Sequence, residues 1–133
     1  MKTFSIGELA TASGVATQTI RFYEQQGLMP EPNRTESNYR RYPQDAADRL
    51  QFIVHAKQWG FTLDEVRELL TLQDANGDRA EAKRIAGEKL QKIRSQIQSL
   101  RRIEAVLAKT VDECSGEGAV AGCPIVEAIA DNA

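Results

Sequence analysis

Residues 5–28 read SIGELATASGVATQTIRFYEQQGL, and this stretch decides the fold. Ser5 is followed three residues later by Glu8, a capping box in which each residue binds a free backbone N–H at the start of a helix. The segment around Gly14 interrupts this helix, and a second helix is predicted from about 16 to 26. Two short helices joined by a tight glycine-containing turn are typical of a helix-turn-helix. Its small core is predicted to hold Ile6, Leu9, Val15 and Ile20.

The next segment, MPEPNRTESNYRRYPQD at 29–45, is rich in turn-forming residues. Pro30 and Pro32, with Asn33 and Asn38, exclude a long helix and indicate a loop with a small hairpin, which we interpret as a wing. Pro43 is placed to begin a third helix, and a second capping box at Thr62 predicts a fourth. In these two helices, the positions expected to face the core of the domain are Leu50, Ile53, Val54, Trp59, Leu63, Val66, Leu69 and Leu70.

A long helix is predicted over about 78–111. Positions 86, 90, 93, 97, 100, 104, 107 and 111 are spaced by alternating steps of four and three, and all except Glu104 are apolar. That spacing is typical of a coiled-coil seam. We expect an antiparallel helix from a second chain to cover it, making a homodimer, with packing against the chain's own head as the alternative.

Composition limits the class of protein. The chain has 133 residues, 41% hydrophobic and 27% charged, as in an ordinary globular protein. No apolar run is long enough to cross a bilayer, and MKTFSIGELA lacks the features of a signal peptide, so we expect a cytoplasmic protein that does not contact membranes. The net charge of -2 gives no overall attraction to nucleic acid, so any DNA binding must depend on local clusters.

Local clusters of that kind occur on the second helix and in the wing. An amide early in the second helix, Gln18, can read a base edge, and threonine hydroxyls beside it can reach phosphates or a thymine methyl. The wing sequence YRRY interleaves aromatic and cationic groups, which is favourable for gripping a DNA backbone. The candidate DNA-binding residues are Thr17, Gln18, Thr19, Arg21, Tyr23, Tyr39, Arg40 and Arg41.

Cys114 and Cys123 are the only two cysteines. The glycine-rich loop between them can fold back and bring both sulfurs to one ion, and thiolates favour soft ions. The short helix predicted from Pro124 could stabilise a thiolate at its amino end. A reversible disulfide that senses oxidants is an alternative. We do not predict an enzyme, because the sequence has no C-x-x-C motif and no Cys–His partnership.

The order of these segments resembles the MerR family of metal-responsive bacterial transcription regulators. The resemblance rests on TIRFYE, NYRRY, GFTLDE and C-x8-CPIVEAI, and it covers nearly the whole chain. It implies a mainly α fold: a winged helix-turn-helix domain at 1–75, a dimerisation helix in an antiparallel coiled coil at 76–111, and a metal-binding loop with a short helix at 112–133. It also implies that the dimer binds double-stranded promoter DNA and, when the ion binds, distorts it so that RNA polymerase can initiate.

The resemblance also bears on the metal. Mercury, zinc, cadmium and lead sensors of the family carry a further cysteine, supplied by the partner chain, at a position that aligns with about Arg79 here. Copper, silver and gold sensors lack it, and a lysine matching Lys83 offsets the charge of their two thiolates. The C-x8-C length nevertheless looks more like the mercury and zinc types. Weighing ligand number above loop length, we expect copper(I), with silver(I) and gold(I) similar, and mercury(II) as the alternative; Arg79 and Lys83 are expected to surround the site.

Overall fold

The structure is a computed structural model that describes residues 3–35 and 39–131. It divides into two compact units, Met1–Ile85 and Ala86–Ala133. The dividing point lies inside one continuous long helix. The three-part division at 75 and 111 stays a prediction.

The first unit begins with the helix-turn-helix that the sequence predicts. Helix α1 spans Ile6–Ser13 and helix α2 spans Thr17–Gln25. The capping box is present, because the Glu8 N–H donates to Ser5 Oγ at 3.1 Å and the Ser5 N–H donates to Glu8 Oε1 at 3.0 Å. Gly14 ends α1 with φ +76°, a left-handed conformation that costs glycine little, and this sharp turn sets the start of α2.

A three-stranded antiparallel sheet forms the wing. Its strands are β1 at Thr3–Phe4, β2 at Asn33–Arg34 and β3 at Arg40–Pro43, in the spatial order β1-β3-β2. Strands β2 and β3 are the two arms of the predicted hairpin. Asn38, one of the residues from which we predicted this loop, lies outside the described residues.

Helices α3, Gln44–Gln58, and α4, Leu63–Asp74, complete the core of the first unit. Thr62 and Glu65 form the second capping box. The residues buried in the core as predicted are Leu9, Ile20, Leu50, Ile53, Val54, Val66 and Leu70. The residues that are only partly buried there are Ile6, Val15, Leu63 and Leu69.

The prediction for Trp59 is wrong, because its side chain is 71% exposed. Helix α3 ends at Gln58, and Trp59 lies nine residues after the buried Leu50. At 3.6 residues per turn this spacing amounts to about two and a half turns, which places Trp59 on the opposite side of the helix axis.

The second unit contains most of helix α5, Arg79–Glu113, and all of α6, Pro124–Asp131. Several residues of the predicted seam are exposed in the single chain: Leu90, Ile97, Leu100, Leu107 and Val111. Ala128 and Ile129 of α6 line a groove with Ile103 and Val106 of α5, so α6 folds back beside α5. None of the helices in the described part of the chain has both the length and the apolar character needed to cross a membrane.

Candidate DNA-binding surface and cysteine pair

The exposed face of α2 carries the residues predicted to read DNA. Gln18 and Arg21 are both exposed and lie three residues apart, which places them on one side of the helix. Thr17 and Thr19 are partly exposed at the start of the same helix. The amino-terminal half of α2, which follows the tight turn, therefore presents an amide, a guanidinium and two hydroxyls. Recognition helices that enter a major groove present such groups in the same place.

Tyr23 has a different location from the one we predicted. Its side chain is only 7% exposed and belongs to the hydrophobic core, and burial raises the pKa of its hydroxyl. The neighbouring Phe22 is the exposed aromatic residue of this segment. Tyr23 therefore supports α2 from inside the unit rather than offering an exposed ring to a DNA backbone.

The wing directs its two arginines to opposite sides, because successive residues of a strand point to opposite faces. Arg40 donates through Nη1 to Glu24 Oε2 of α2 at 3.2 Å. Arg41 donates through Nε and Nη2 to Thr3 Oγ1 at 3.0 and 2.9 Å, on the β1 side. Tyr39 is exposed, and its carbonyl accepts a bond of 2.8 Å from the Thr35 N–H. Of the two arginines, Arg40 is thus the one that faces the recognition helix.

A small concave cleft of about 220 Å³ lies between α2 and the wing. Its lining residues are Arg21, Glu24, Gln25, Glu31, Pro32, Arg34 and Arg40. Its three guanidinium groups outnumber its two carboxylates, which favours an anion such as a phosphate. We did not single out Glu24 or Arg34 from the sequence; the signal available for Arg34 was its place in the basic hairpin.

The loop after α5 brings the two cysteines together. Both thiols are free and partly exposed, and the Cys114 side chain lies close enough to Cys123 to affect the pKa of its thiol. The backbone N–H groups of Val126 and Ile125, at the start of α6, hold the pKa of the Cys123 thiol below its ordinary value. The contact with Cys114 acts in the same direction, while the charge of Glu127 opposes it. A thiolate is the form of cysteine that binds metals.

The backbone around each cysteine is fixed by the ends of the helices. The Cys114 N–H donates to the Thr110 carbonyl at 3.0 Å, so Cys114 continues the last turn of α5. The Cys123 carbonyl accepts from the Glu127 N–H at 3.0 Å, which makes Cys123 part of the first turn of α6. Gly116, Gly118 and Gly122 all have positive φ, as the predicted fold-back requires.

A third ligand is not apparent next to this pair. Across residues 3–35 and 39–131, no three His, Cys, Asp or Glu side chains are grouped so that they could hold a metal ion. His55 lies on α3 in the other unit and is hydrogen-bonded to Gln51 at 2.9 Å. Arg79 and Lys83 also belong to the first unit, so their predicted place around the ion stays a prediction. The two sulfurs suit a soft ion that accepts two ligands.

A helix-turn-helix followed by a wing and a long helix defines the class of winged helix-turn-helix DNA-binding regulators. Comparison with known protein families identifies two matches. The family described as "MerR HTH family regulatory protein" matches residues 4–73, and the family described as "MerR, DNA binding" matches residues 47–110. The chain belongs to the MerR family, as the sequence resemblance indicated.

Three relatives illustrate the match. The mercuric resistance operon regulatory protein of Bacillus cereus is 41% identical, over 95% of this chain and 96% of that protein. The crystal structure of the regulator MerR of Bacillus megaterium with mercury(II) is 36% identical, with a TM-score of 0.64, over 96% of this chain and 100% of that one. The structure of PbrR691 of Ralstonia metallidurans with lead(II) is 33% identical, with a TM-score of 0.76, over 95% and 98% of the two chains. These relatives are regulators and not enzymes, in agreement with our prediction.

Proposed function

We propose that this protein is a mercury(II)-responsive transcription regulator, which binds the ion between Cys114 and Cys123 and activates a promoter held by its winged helix-turn-helix domains. The observation that carries the proposal is the pair of free thiols held together between α5 and α6, with backbone N–H groups directed at Cys123. Such a regulator works in the bacterial cytoplasm, where promoter DNA is accessible.

Mercury(II) replaces copper(I) as our first choice of ion. The copper(I) prediction depended on the missing cysteine at Arg79, but the relatives reported above are named for mercury and lead rather than for copper. Mercury(II) is soft and accepts two thiolates, so the two cysteines are sufficient for it. Lead and zinc sites use further ligands, which the described part of the chain does not group beside the cysteines.

The likeness to the family supports an action on the shape of the DNA. Residues of α2 and the wing hold the operator, and binding of the ion changes how two such heads are presented to the duplex. A duplex that is bent and untwisted in this way can bring both promoter elements to RNA polymerase. The free energy of metal binding is then coupled to a DNA conformation, and the protein can stay on its operator in both states.

A homodimer provides the two heads. The exposed apolar row on α5 supports a partner helix, because Leu90, Ile97, Leu100 and Leu107 all remain uncovered within one chain. Monomeric soluble proteins rarely leave such a contiguous stripe in water. An antiparallel arrangement places one DNA-binding head at each end of the paired helices.

The test is transcription in vitro from the promoter of the protein's own operon, with mercury(II), copper(I) and zinc(II) added separately under reducing conditions. We expect mercury(II) to activate, and Cys114→Ser and Cys123→Ser each to abolish activation while operator binding stays within about twofold of wild type. Ala119→Ser, an exposed position of the same loop, is the matched control and should respond normally.

Other outcomes would identify the alternatives. Activation by copper(I) at lower concentrations than mercury(II) would identify copper(I) as the ion, as we expected from the sequence. Activation by an oxidant without metal, with a Cys114–Cys123 disulfide in the active protein, would make it a redox sensor. Loss of operator binding in either serine variant would contradict the separation of the DNA-binding and metal-binding roles.

A further inference from the structure

The carboxylate of Glu24 joins the recognition helix to the wing. Its oxygen Oε1 accepts a short hydrogen bond from the hydroxyl of Tyr42 in β3, and its oxygen Oε2 accepts from Arg40 Nη1 at 3.2 Å. Both partners belong to one strand, and they lie on the same side of it because they are two residues apart. A single side chain of α2 therefore holds two residues of the wing.

This carboxylate is nearly enclosed. The Glu24 side chain is 9% exposed, and Tyr42 is fully buried in the core. A carboxylate loses its hydration when it is buried, so it is retained only with strong partners. The Tyr42 hydroxyl and the Arg40 guanidinium provide those partners. The ion pair between Glu24 and Arg40 therefore has fewer possible orientations than an ion pair exposed on a surface.

The position of Glu24 is unfavourable for DNA binding in terms of charge alone. It lines the same small cleft as Arg21, Arg34 and Arg40, where a negative charge repels phosphates and partly cancels the attraction of the arginines. If charge were its only effect, removing Glu24 would tighten binding to every DNA sequence. Another contribution of Glu24 to DNA binding has to offset this weaker attraction of phosphates.

We propose that Glu24 is a positioning residue for operator recognition: it fixes the guanidinium of Arg40 in the wing at a set distance from Gln18 and Arg21 on the recognition helix. Arg40 can then contact the DNA backbone only when Gln18 and Arg21 are aligned with one set of base pairs. A wing arginine without this anchor can still attract phosphates, but it samples many positions and favours no single alignment on the groove.

The inference rests on the proposed function, since it assumes that α2 and the wing bind DNA. Its test uses the full-length protein and a duplex that the wild type enriches from a random pool, compared with a scrambled duplex of the same composition. The quantity measured is the ratio of the two affinities, by fluorescence anisotropy at fixed salt concentration.

Glu24→Gln keeps the size of the side chain, removes its charge and replaces one of its two acceptor oxygens by an N–H2 donor, so the charge-assisted bond to Arg40 is lost. We expect the ratio to fall about tenfold, with affinity for the scrambled duplex unchanged or higher. Glu31→Gln, which removes the same charge from the same cleft, is the matched control: it should tighten binding to both duplexes and leave the ratio unchanged. In an Arg40→Ala background, Glu24→Gln should lower the ratio no further, because its effect passes through Arg40.

A Glu24→Gln protein that binds both duplexes more tightly and keeps the wild-type ratio would overturn the inference, as would a full additional loss in the Arg40→Ala background. If Glu24→Gln does not unfold cooperatively, Tyr42→Phe takes its place: a ratio lowered by about twofold or more supports positioning, and an unchanged ratio contradicts it. If the wild type enriches no duplex, the proposed function fails and this inference with it. If the wild type discriminates and Glu24→Gln discriminates equally well, only the inference fails.

Discussion

Arg49 of α3 and Asp74 at the end of α4 form a two-bond ion pair, with Nη1 to Oδ1 at 2.7 Å and Nη2 to Oδ2 at 3.1 Å. The same guanidinium donates through Nε to the carbonyl of Leu28 at 2.5 Å. Leu28 follows α2, so one side chain fastens the segment after the recognition helix to both later helices. The hydrogen bond from Arg49 holds the pKa of Asp74 below its ordinary value.

The first prediction concerns stability in acid. Because the folded-state pKa of Asp74 is lowered, the pair stabilises the protein at pH values above the unfolded pKa, about 3.8, and this contribution is lost as the pH falls through the folded-state pKa. Asp74→Asn removes the charge that titrates. We expect a lower urea midpoint at neutral pH and a shallower loss of stability below about pH 5, measured by circular dichroism.

Asp112→Asn, an exposed carboxylate on α5 far along the chain, is the control for the loss of one negative charge. It should keep the steep acid dependence of the wild type. Equal slopes for wild type and Asp74→Asn would show that the pair contributes nothing to acid sensitivity, as often holds for exposed ion pairs.

The starts and turns of the helices in the first unit could be predicted because their chemistry is local. Ser5 with Glu8, and Thr62 with Glu65, satisfy backbone groups within three residues, so no knowledge of the tertiary fold is needed. Gly14 is similar, because its left-handed φ is required by the turn alone.

Which aromatic residue faces inward could not be predicted in the same way. Phe22 and Tyr23 are neighbours on α2, separated by about 100° around the helix axis, and both are apolar enough to be buried. The choice is made by the elements packed against α2. These leave Phe22 exposed and cover Tyr23. The error at Trp59 has a different source, because its spacing from Leu50 along α3 already places it on the opposite side of the helix.

The candidate functional residues also include some that could be predicted from the sequence and some that could not. The sequence was enough to predict that a glycine-rich loop could bring Cys114 and Cys123 together, because that depends on chain flexibility. The link from Glu24 to Arg40 and Tyr42 could not be predicted, since it spans 16 and 18 residues and depends on the position of β3 beside α2. The identity of the ion is not contained in the spacing of two cysteines: the copper(I) expectation followed from the number of ligands, whereas the relatives reported above are named for mercury and lead.

The second prediction tests the dimer. Leu100 lies near the middle of the predicted seam and is 64% exposed in one chain. Leu100→Glu should give a monomer by light scattering, because two leucines lose about 2 kcal/mol or more each of burial and two carboxylates would have to enter an apolar interface. The dissociation constant should rise about 100-fold or more, and operator affinity should weaken with it.

Gln98→Glu introduces the same charge at an exposed position outside the seam, and it should leave the dimer intact. A Leu100→Glu protein that remains a tight dimer at low concentration would refute the coiled-coil assignment. In that case the apolar row on α5 would need another partner.

The third prediction concerns stability in alkali. Burial, with a smaller contribution from the hydrogen bond to Glu24, raises the pKa of Tyr42 to about 12 from an ordinary value of 10.0. Since the folded-state pKa is raised, the phenol contributes stability that is fully present below about pH 10 and is lost as the pH rises through about 12. A two-unit shift corresponds to at most about 2–3 kcal/mol.

Tyr42→Phe removes this titration and should make the decline of the urea midpoint above about pH 10 shallower, while lowering stability at neutral pH through the lost hydrogen bond to Glu24. The tyrosinate absorbance of the folded variant should also lack the last ionisation seen in the wild type. Tyr39→Phe, which changes an exposed ring of the same wing, should leave the alkaline decline unchanged. Parallel curves for wild type and Tyr42→Phe would mean that the buried phenol does not control stability in alkali.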